Sequence, residues 1–318
     1  MTFNEIRKLN PTVRMGECEA TAHEVGYNDE RFEYLDQYIQ AMINEGKILS
    51  GSYCLWKNGR VFVDAALGKL YCSYMENEKF RTDTFFSISS LENLILTIAI
   101  YKLMEDGLLY LEQPIKDLLS DDLDVEAQSI SVRQLLGKES GKSAIKKIIR
   151  ILSGMEETEY IKKIILQPCG MKDTHWRKEA TADQLKRYNI ANETDLELVE
   201  KKKAEISDSE NEMMSTCRDM TRFGEMLARA GFYRGKRVIG RRTVLALLNN
   251  KMDERIKRIL SGTADASVFA QASRNCVLFF DRKTEFAGMF QISFLGDEED
   301  KDKTLTGITS ILFSGLNG

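Results

Sequence analysis

Three serines, Ser87, Ser89 and Ser90, precede an apolar run that begins at Leu94. The helical period of that run predicts a buried helix whose first turn holds the serines. A serine at the start of a helix either caps the helix or acts as a nucleophile. Ser89 followed by Glu92 has the form of a capping box, in which each side chain satisfies a backbone N–H of the first turn. The segment therefore predicts either a cap or a nucleophilic serine.

The sequence before the serines predicts a helix and a hairpin. Apolar residues recur at helical spacing after Asn28, and Gly46 follows closely enough to end the helix. Asn58 and Gly59 then separate two strand-like runs. This pair supplies the positive φ angles that a tight hairpin turn needs.

The C-terminal part of the chain again contains patterns typical of strands. Residues 276–281 and 286–292 predict two strands joined by a turn, and residues 305–316 predict a closing helix. Strands near both ends of the chain with helices between them predict an α/β fold of the α+β type. In this fold an antiparallel sheet is flanked by helices and interrupted by an inserted all-helical domain.

Several motifs, in sequence order, resemble the serine β-lactamase and penicillin-binding-protein superfamily. They are Asp83-Thr84-Phe85-Phe86-Ser87-Ile88-Ser89-Ser90, Pro168-Cys169-Gly170-Met171-Lys172-Asp173-Thr174 and Ser215-Thr216-Cys217-Arg218-Asp219. The second is similar to the Pro-Leu-Gly-Met-x-x-Thr that closes a helix in this family, and the best match is with class C β-lactamases, DD-peptidases and related esterases. The resemblance covers residues 26–316 and implies a β-lactamase/DD-peptidase-like fold.

We expect the chain to divide into three parts. Residues 1–25 form an N-terminal arm, residues 26–80 and 256–318 together form a discontinuous sheet-containing domain, and residues 81–255 form a helical domain. We expect the arm to be loosely attached, because it shows no clear period.

The same resemblance makes Ser90 the nucleophile candidate. The family carries Ser-x-x-Lys, in which the lysine helps to remove the proton of the serine. This sequence has Asn93 at the lysine position, and an amide is not a base near neutral pH. Glu92 is no replacement, because residues two apart on a helix do not face each other. The family's way of activating Ser90 is therefore missing.

Two further elements of the family are also changed. The Tyr-x-Asn or Ser-x-Asn element should follow a Thr-Ser-Gly turn, but Glu139-Ser140-Gly141 leads almost directly into the next predicted helix. The Lys/His-x-Gly element aligns with Ala270-Gln271-Ala272, which offers no cation. The residues predicted to line the cleft beside the serine, without catalysing, are Asn93, Gln271 and Ser273.

Other residues that could do chemistry fit structural roles better. His175 could replace the missing base, but it follows the Gly-Met turn and should lie outside the cleft. Lys142 is close to Ser140 in sequence, where a turn is favoured over a new catalytic dyad. The run Lys201-Lys202-Lys203 is flanked by glutamates and predicts a solvated helix face.

Composition excludes several classes of function. The 318 residues carry a net charge of −4, so nucleic acid is not expected as a partner. The six cysteines are scattered singly and only two histidines occur, so neither a metal site nor a cofactor is predicted. No apolar run is long enough for a membrane span and no signal-peptide pattern is visible, so a cytoplasmic protein is expected, with export possible as in many family members.

Three functions remain open from the sequence. The first is a pseudoenzyme that binds a small molecule in the interdomain cleft. The second is an enzyme of altered mechanism, either a hydrolase or acyl transferase of esterase, amidase or peptidase type that uses Ser90 with another base, or a biosynthetic enzyme that acts non-covalently. The third is a scaffold or partner-binding subunit. The oligomeric state is not predicted.

Overall fold

The computed structural model describes seven stretches of the chain: 13–70, 78–119, 130–189, 212–249, 268–272, 275–295 and 298–316. Ser273, which was predicted to line the cleft, lies outside these stretches, as does the run Lys201-Lys202-Lys203.

Nine α-helices occur within the described residues. They are α1 (Glu30–Asn44), α2 (Ser89–Glu105), α3 (Val132–Leu136), α4 (Lys142–Ser153), α5 (Glu157–Ile161), α6 (Ala182–Lys186), α7 (Cys217–Ala228), α8 (Arg241–Asn249) and α9 (Glu298–Phe313). Shorter helical turns are His23–Val25, Ile115–Asp117, Glu139–Gly141, Lys162–Leu166 and Arg177–Glu179. None of the helices in these stretches has the length and apolar character needed to cross a membrane.

Twelve strands occur in the same stretches. They are β1 (Val13–Met15), β2 (Ile48–Lys57), β3 (Arg60–Leu70), β4 (Glu78–Lys79), β5 (Phe86–Ser87), β6 (His175–Trp176), β7 (Met213–Ser215), β8 (Phe232–Tyr233), β9 (Lys236–Arg237), β10 (Val268–Ala272), β11 (Cys276–Asp281) and β12 (Phe286–Phe294).

The main sheet is antiparallel and has the strand order β1-β3-β2-β12-β11-β10, with β4 paired to β3. Its central pair joins the two ends of the chain, since Cys54 of β2 lies opposite Met289 of β12. The predicted antiparallel sheet with flanking helices is therefore confirmed. The hairpin is confirmed as well, because β2 and β3 are joined by Asn58 and Gly59 with φ angles of 50° and 89°.

Helices cover both faces of this sheet. On one face α1 packs against β2 and β3, and α9 packs against α1. On the other face α7 lies across β2, β11 and β12, and α2 packs against α4 and β10. Both cores are apolar, with Phe279 and Phe290 on the first face and Leu278 and Met289 on the second. The sheet therefore forms the middle layer of the fold.

The N-terminal segment differs from the expected loose arm over the residues that the structure describes. Val13–Met15 pairs with β3, and Val25 and Tyr27 are buried in the core beneath α1. The hydroxyl of Tyr27 donates a hydrogen bond to the carbonyl oxygen of Leu312 at 2.8 Å. Backbone pairing and buried aromatic surface attach this segment, and neither depends on a visible sequence period. The division into a sheet domain and a helical domain stays a prediction.

Candidate active site

The start of α2 is positioned by a small three-stranded sheet of order β5-β7-β6. Phe86 and Ser87 of β5 pair with β7, and the backbone N–H of Ile88 donates to the carbonyl oxygen of Met213 at 3.1 Å. The helix begins at the next residue, Ser89. Ser90, the predicted nucleophile, is therefore the second residue of a helix whose entry is fixed by strand pairing.

The predicted capping box at this helix start is wrong. Ile88 is the N-cap residue of α2, and no side-chain cap hydrogen bond is present. Glu92 points instead toward α4, where two lysines contact its carboxylate. A carboxylate gains more from ammonium groups than from one neutral backbone N–H, because charge-assisted hydrogen bonds are the stronger ones.

Glu92, Lys142 and Lys146 form a compact ionic group, which we call the Glu92 cluster. The Nζ atom of Lys146 lies 2.6 Å from Oε1 of Glu92, and that of Lys142 lies 3.5 Å from Oε2. Lys142 also donates to the carbonyl oxygen of Ser89 at 2.6 Å. Glu92 is only 5% exposed, whereas the side chain of Lys142 is 30% exposed. With two lysines and one carboxylate, the cluster carries a surplus of one positive charge beside Ser90.

The short connection before α4 explains why these lysines reach α2. A β-carbon at Gly141 would lie 2.8 Å from the carbonyl oxygen of Leu135, so glycine allows a close approach to α3. Helix α4 then begins at Lys142 without a side-chain cap. A cation in the first turn of a helix is unfavourable with respect to its dipole, so Glu92 compensates for Lys142.

Sequence reasoning missed the Glu92 cluster. The signal that could have revealed it is the spacing of Lys142 and Lys146, which places both ammonium groups on one face of α4. Nothing in the local sequence identifies Glu92 as their partner, because the pairing depends on how α2 packs against α4.

Asn93 lies one turn after Ser90 on α2 and is half-buried. Its backbone carbonyl accepts a hydrogen bond from Oγ1 of Thr97 at 2.7 Å. Among the side chains that the structure describes, none is a hydrogen-bond partner of its amide. The amide is therefore free to donate to a ligand and to accept from one.

Gln271 lies on β10, the edge strand that packs against α2. Phe269 packs into the core on the α2 side of the sheet, and side chains two apart on a strand share a face. Gln271 is half-buried on that face. The structure thus brings the strand of Gln271 against the helix of Ser90 and Asn93.

His175 belongs to a different part of the small sheet. It lies on β6, which β7 separates from β5 and the entry to α2. The ring is buried and packs edge-on against Phe85 at 5.4 Å between centroids. Burial lowers the pKa of His175, so the imidazole is neutral and enclosed rather than directed at Ser90.

A family model matches most of the chain. Residues 35–267 match the model described as Beta-lactamase. No curated protein matches the sequence.

Solved structures of the same fold cover nearly all of the chain at low sequence identity. A penicillin-binding protein homologue from Caulobacter crescentus has 13% identity and a TM-score of 0.68 over 95% of this chain and 100% of its own. A class C β-lactamase from Rhodobacter sphaeroides has 12% identity and a TM-score of 0.62 over 86% and 97%. A D-amino acid amidase from Ochrobactrum anthropi SV3 has 16% identity and a TM-score of 0.63 over 88% and 98%. These similarities establish the fold.

Proposed function

This chain belongs to the beta-lactamase family, and we propose that it is a pseudoenzyme that binds a small molecule non-covalently in the cleft beside Ser90. One observation carries the proposal. Lys142, whose ammonium group contacts the first turn of α2, donates to the carbonyl oxygen of Ser89 and to Glu92.

An ammonium group in this setting is not a base. Its nitrogen carries donors and no lone pair, so it cannot accept a proton. Asn93, at the position of the family lysine, cannot accept the proton of Ser90 near neutral pH. Neither residue therefore supplies the base that a serine hydroxyl needs before it can attack an acyl carbon.

The electrostatics beside Ser90 favour an anionic ligand. The Glu92 cluster has a surplus of one positive charge, and the N-terminus of α2 adds the positive end of the helix dipole. Lys142 is the more exposed of the two lysines. We therefore propose that Lys142 contacts a carboxylate or similar group of the ligand, while Asn93 and Gln271 provide hydrogen bonds.

The absence of acylation is tested by intact-mass spectrometry. The protein is incubated with a fluorophosphonate and, separately, with benzylpenicillin, with Ser90→Ala and Ser89→Ala as matched controls. We expect no adduct on any of the three proteins. A stoichiometric adduct that survives in Ser89→Ala and is lost in Ser90→Ala overturns the proposal.

Ligand binding is tested separately with phenylacetate as a simple carboxylate probe. We expect saturable binding by calorimetry, weakened roughly tenfold by Lys142→Met. Lys163→Met removes the same charge from an exposed position on the protein and should leave the affinity unchanged. Equal weakening by the two variants would show only general charge attraction.

A second candidate function is serine acyl transfer with a relocated base. It is favoured by the position of the Lys142 ammonium, 2.6 Å from the carbonyl oxygen of the residue that precedes Ser90. If Lys142 loses its proton during turnover, the labelling experiment gives an adduct that both Ser90→Ala and Lys142→Met abolish. The cytoplasmic location expected from the sequence stays a prediction under either function.

A further inference from the structure

A polar cavity of about 970 Å³ opens beside β3. Its walls are the segment 16–19, the segment 79–83 and the start of α7, together with Asp64 and Asp173. Three strands, β2, β12 and β11, separate β3 from β10, the strand that packs against α2. The cavity therefore lies toward the opposite edge of the sheet from Gln271 and is a second candidate site.

Asp64 is the buried group of this cavity. It is 2% exposed, and its Oδ2 atom accepts a hydrogen bond from Arg218 at 3.0 Å. Its Oδ1 atom is also buried but has no hydrogen-bond partner in the part of the chain that the structure describes. A buried carboxylate oxygen without a donor is unfavourable, so a donor that enters the cavity gains a ready acceptor.

The backbone at Gly16 lies close to this carboxylate. A β-carbon at Gly16 would overlap the carboxylate of Asp64 and lie 3.0 Å from Oγ1 of Thr82. Glycine at this position thus lets the backbone of the segment 16–19 approach the Asp64 carboxylate closely and form a wall of the cavity.

The charged groups of the lining indicate which ligand would fit. Arg218 donates through Nη1 to Asp64 and to the carbonyl oxygen of Glu17, and Arg81 binds Asp83. Arg222, also in the lining, donates through Nη1 to Asp219 and to the carbonyl oxygen of Gly170. Lys79 is exposed at the surface. Among the described residues of the lining, the buried acceptor without a donor is Oδ1 of Asp64, so the ligand should donate hydrogen bonds and carry positive charge.

We propose that this cavity binds a small organic cation whose ammonium or guanidinium group donates to Oδ1 of Asp64. The volume is at the upper end of the range of small-molecule pockets, about 300–1,000 Å³. A metal ion is not the proposed ligand, because the described residues contain no group of three or more His, Cys, Asp and Glu side chains placed to hold one. This site is independent of the function proposed at Ser90.

The first test compares a cation with a neutral molecule of the same length. The protein is titrated with 1-butylamine and with 1-butanol, and binding is followed by saturation-transfer-difference NMR. We expect saturable binding of butylammonium in the millimolar range and none of butanol. Equal binding of butanol, or no saturable binding of the amine, overturns the proposal.

The second test uses two variants that remove the same charge from the same cavity. Asp64→Asn removes the buried carboxylate and should weaken butylammonium binding roughly tenfold or more. Glu17→Gln removes an exposed one and should change the affinity less than about twofold. Equal losses in the two variants would mean diffuse attraction to an acidic surface, and the proposed contact would be wrong.

A third measurement needs only the unmodified protein. Burial raises the pKa of Asp64 to about 7, and the negative charge of Asp83 adds to this increase. The positive charges of Arg218 and Arg222 on α7 act in the opposite direction and lower the pKa. Cys54, buried on β2, also faces this carboxyl group. A bound cation favours the ionised carboxylate, so the affinity should rise between about pH 6 and pH 8, and binding near pH 7 should release protons. An affinity that does not change over this range contradicts the contact with Asp64.

Discussion

The Nζ atom of Lys146 lies 2.6 Å from Oε1 of Glu92, at the contact between α4 and α2. The carboxylate is 5% exposed, so this pair is largely withdrawn from water. Lys142 shares the same carboxylate from the preceding turn of α4. The carboxylate of Glu92 thus neutralises part of the positive charge of the two lysines at the start of α2.

Replacing Glu92 by glutamine should destabilise the fold strongly. The variant leaves the ammonium groups of Lys142 and Lys146 close together without their carboxylate. Removing one partner of a buried ion pair leaves uncompensated charge, and we expect the free energy of unfolding to fall by on the order of 3 kcal/mol. Urea denaturation followed by circular dichroism gives this value.

The matched control is Glu299→Gln, which removes a carboxylate that pairs with Lys303 at 2.7 Å on the exposed surface of α9. We expect a change below about 0.5 kcal/mol, because exposed pairs contribute little. If both variants have the same stability, the Glu92 cluster is not a structural element of the folded state.

Glu225 on α7 should make stability depend on pH. It is 1% exposed, neither carboxylate oxygen has a hydrogen-bond partner in the described residues, and Arg229 is 4.0 Å away. Burial raises the pKa of Glu225 to about 7. The folded state therefore holds this proton more tightly than the unfolded state, and its contribution to stability is lost as pH rises from about 4.5 to 7.

The variant Glu225→Gln removes this titration. Relative to the unmodified protein it should gain on the order of 2 kcal/mol in the free energy of unfolding between about pH 5 and pH 8. Urea denaturation of both proteins across that range measures the difference in the free energy of unfolding. Other titrating groups contribute equally to both proteins, so their effect cancels in this difference. Parallel pH profiles for the two proteins would show that Glu225 titrates normally.

Gly288 on β12 should not tolerate a side chain. A β-carbon there would lie 2.5 Å from Cζ of Phe279 and 2.6 Å from Cδ2 of Leu55, on the two neighbouring strands. We expect Gly288→Ala to lower the free energy of unfolding by about 1–3 kcal/mol through overpacking. In the control variant Gly51→Ala, the nearest atom to the new β-carbon is 3.5 Å away, which is an ordinary contact. Thermal melts should show little change in melting temperature for Gly51→Ala and a clear decrease for Gly288→Ala.

The cysteines should differ sharply in reactivity. Cys18 is exposed, whereas Cys54, Cys169, Cys217 and Cys276 are buried. Burial also raises the pKa of Cys54, Cys169 and Cys217, so little reactive thiolate is present. Iodoacetamide at pH 8 should alkylate Cys18 at least roughly a hundredfold faster than these four. Peptide mass spectrometry locates the labels, and rapid alkylation of Cys54 or Cys217 in the native protein would contradict the packing described.

Local sequence chemistry predicted the elements whose signal is contained in a few neighbouring residues. The turn at Asn58 and Gly59, the helix that ends near Gly46 and the strands 276–281 and 286–292 are of this kind. Strand β1 was missed because three residues show no period and its pairing to β3 is set by tertiary contacts. The order of strands in the sheet was likewise not readable from any local pattern.

The sequence predicted which site residues share a helix, but not which residues of other elements contact them. Motif spacing located Ser90 and Asn93 on one helix, and the structure has them on α2. The partners of Glu92 come from another helix, and their approach depends on the short turn that ends at Gly141. A capping box and an interhelical ion pair use the same side chain, and only the three-dimensional packing decides between them.

The pairing of β2 with β12 also has a consequence for biosynthesis. During translation, Cys54 can pair with Met289 only after residue 294 has left the exit tunnel of the ribosome. Until then the hairpin of β2 and β3 exposes an unpaired edge and two apolar faces, which are surfaces prone to aggregation. The nascent chain should therefore depend on chaperone protection for most of its translation, and translational pauses near the C-terminal strands should affect yield more than pauses in the helical middle.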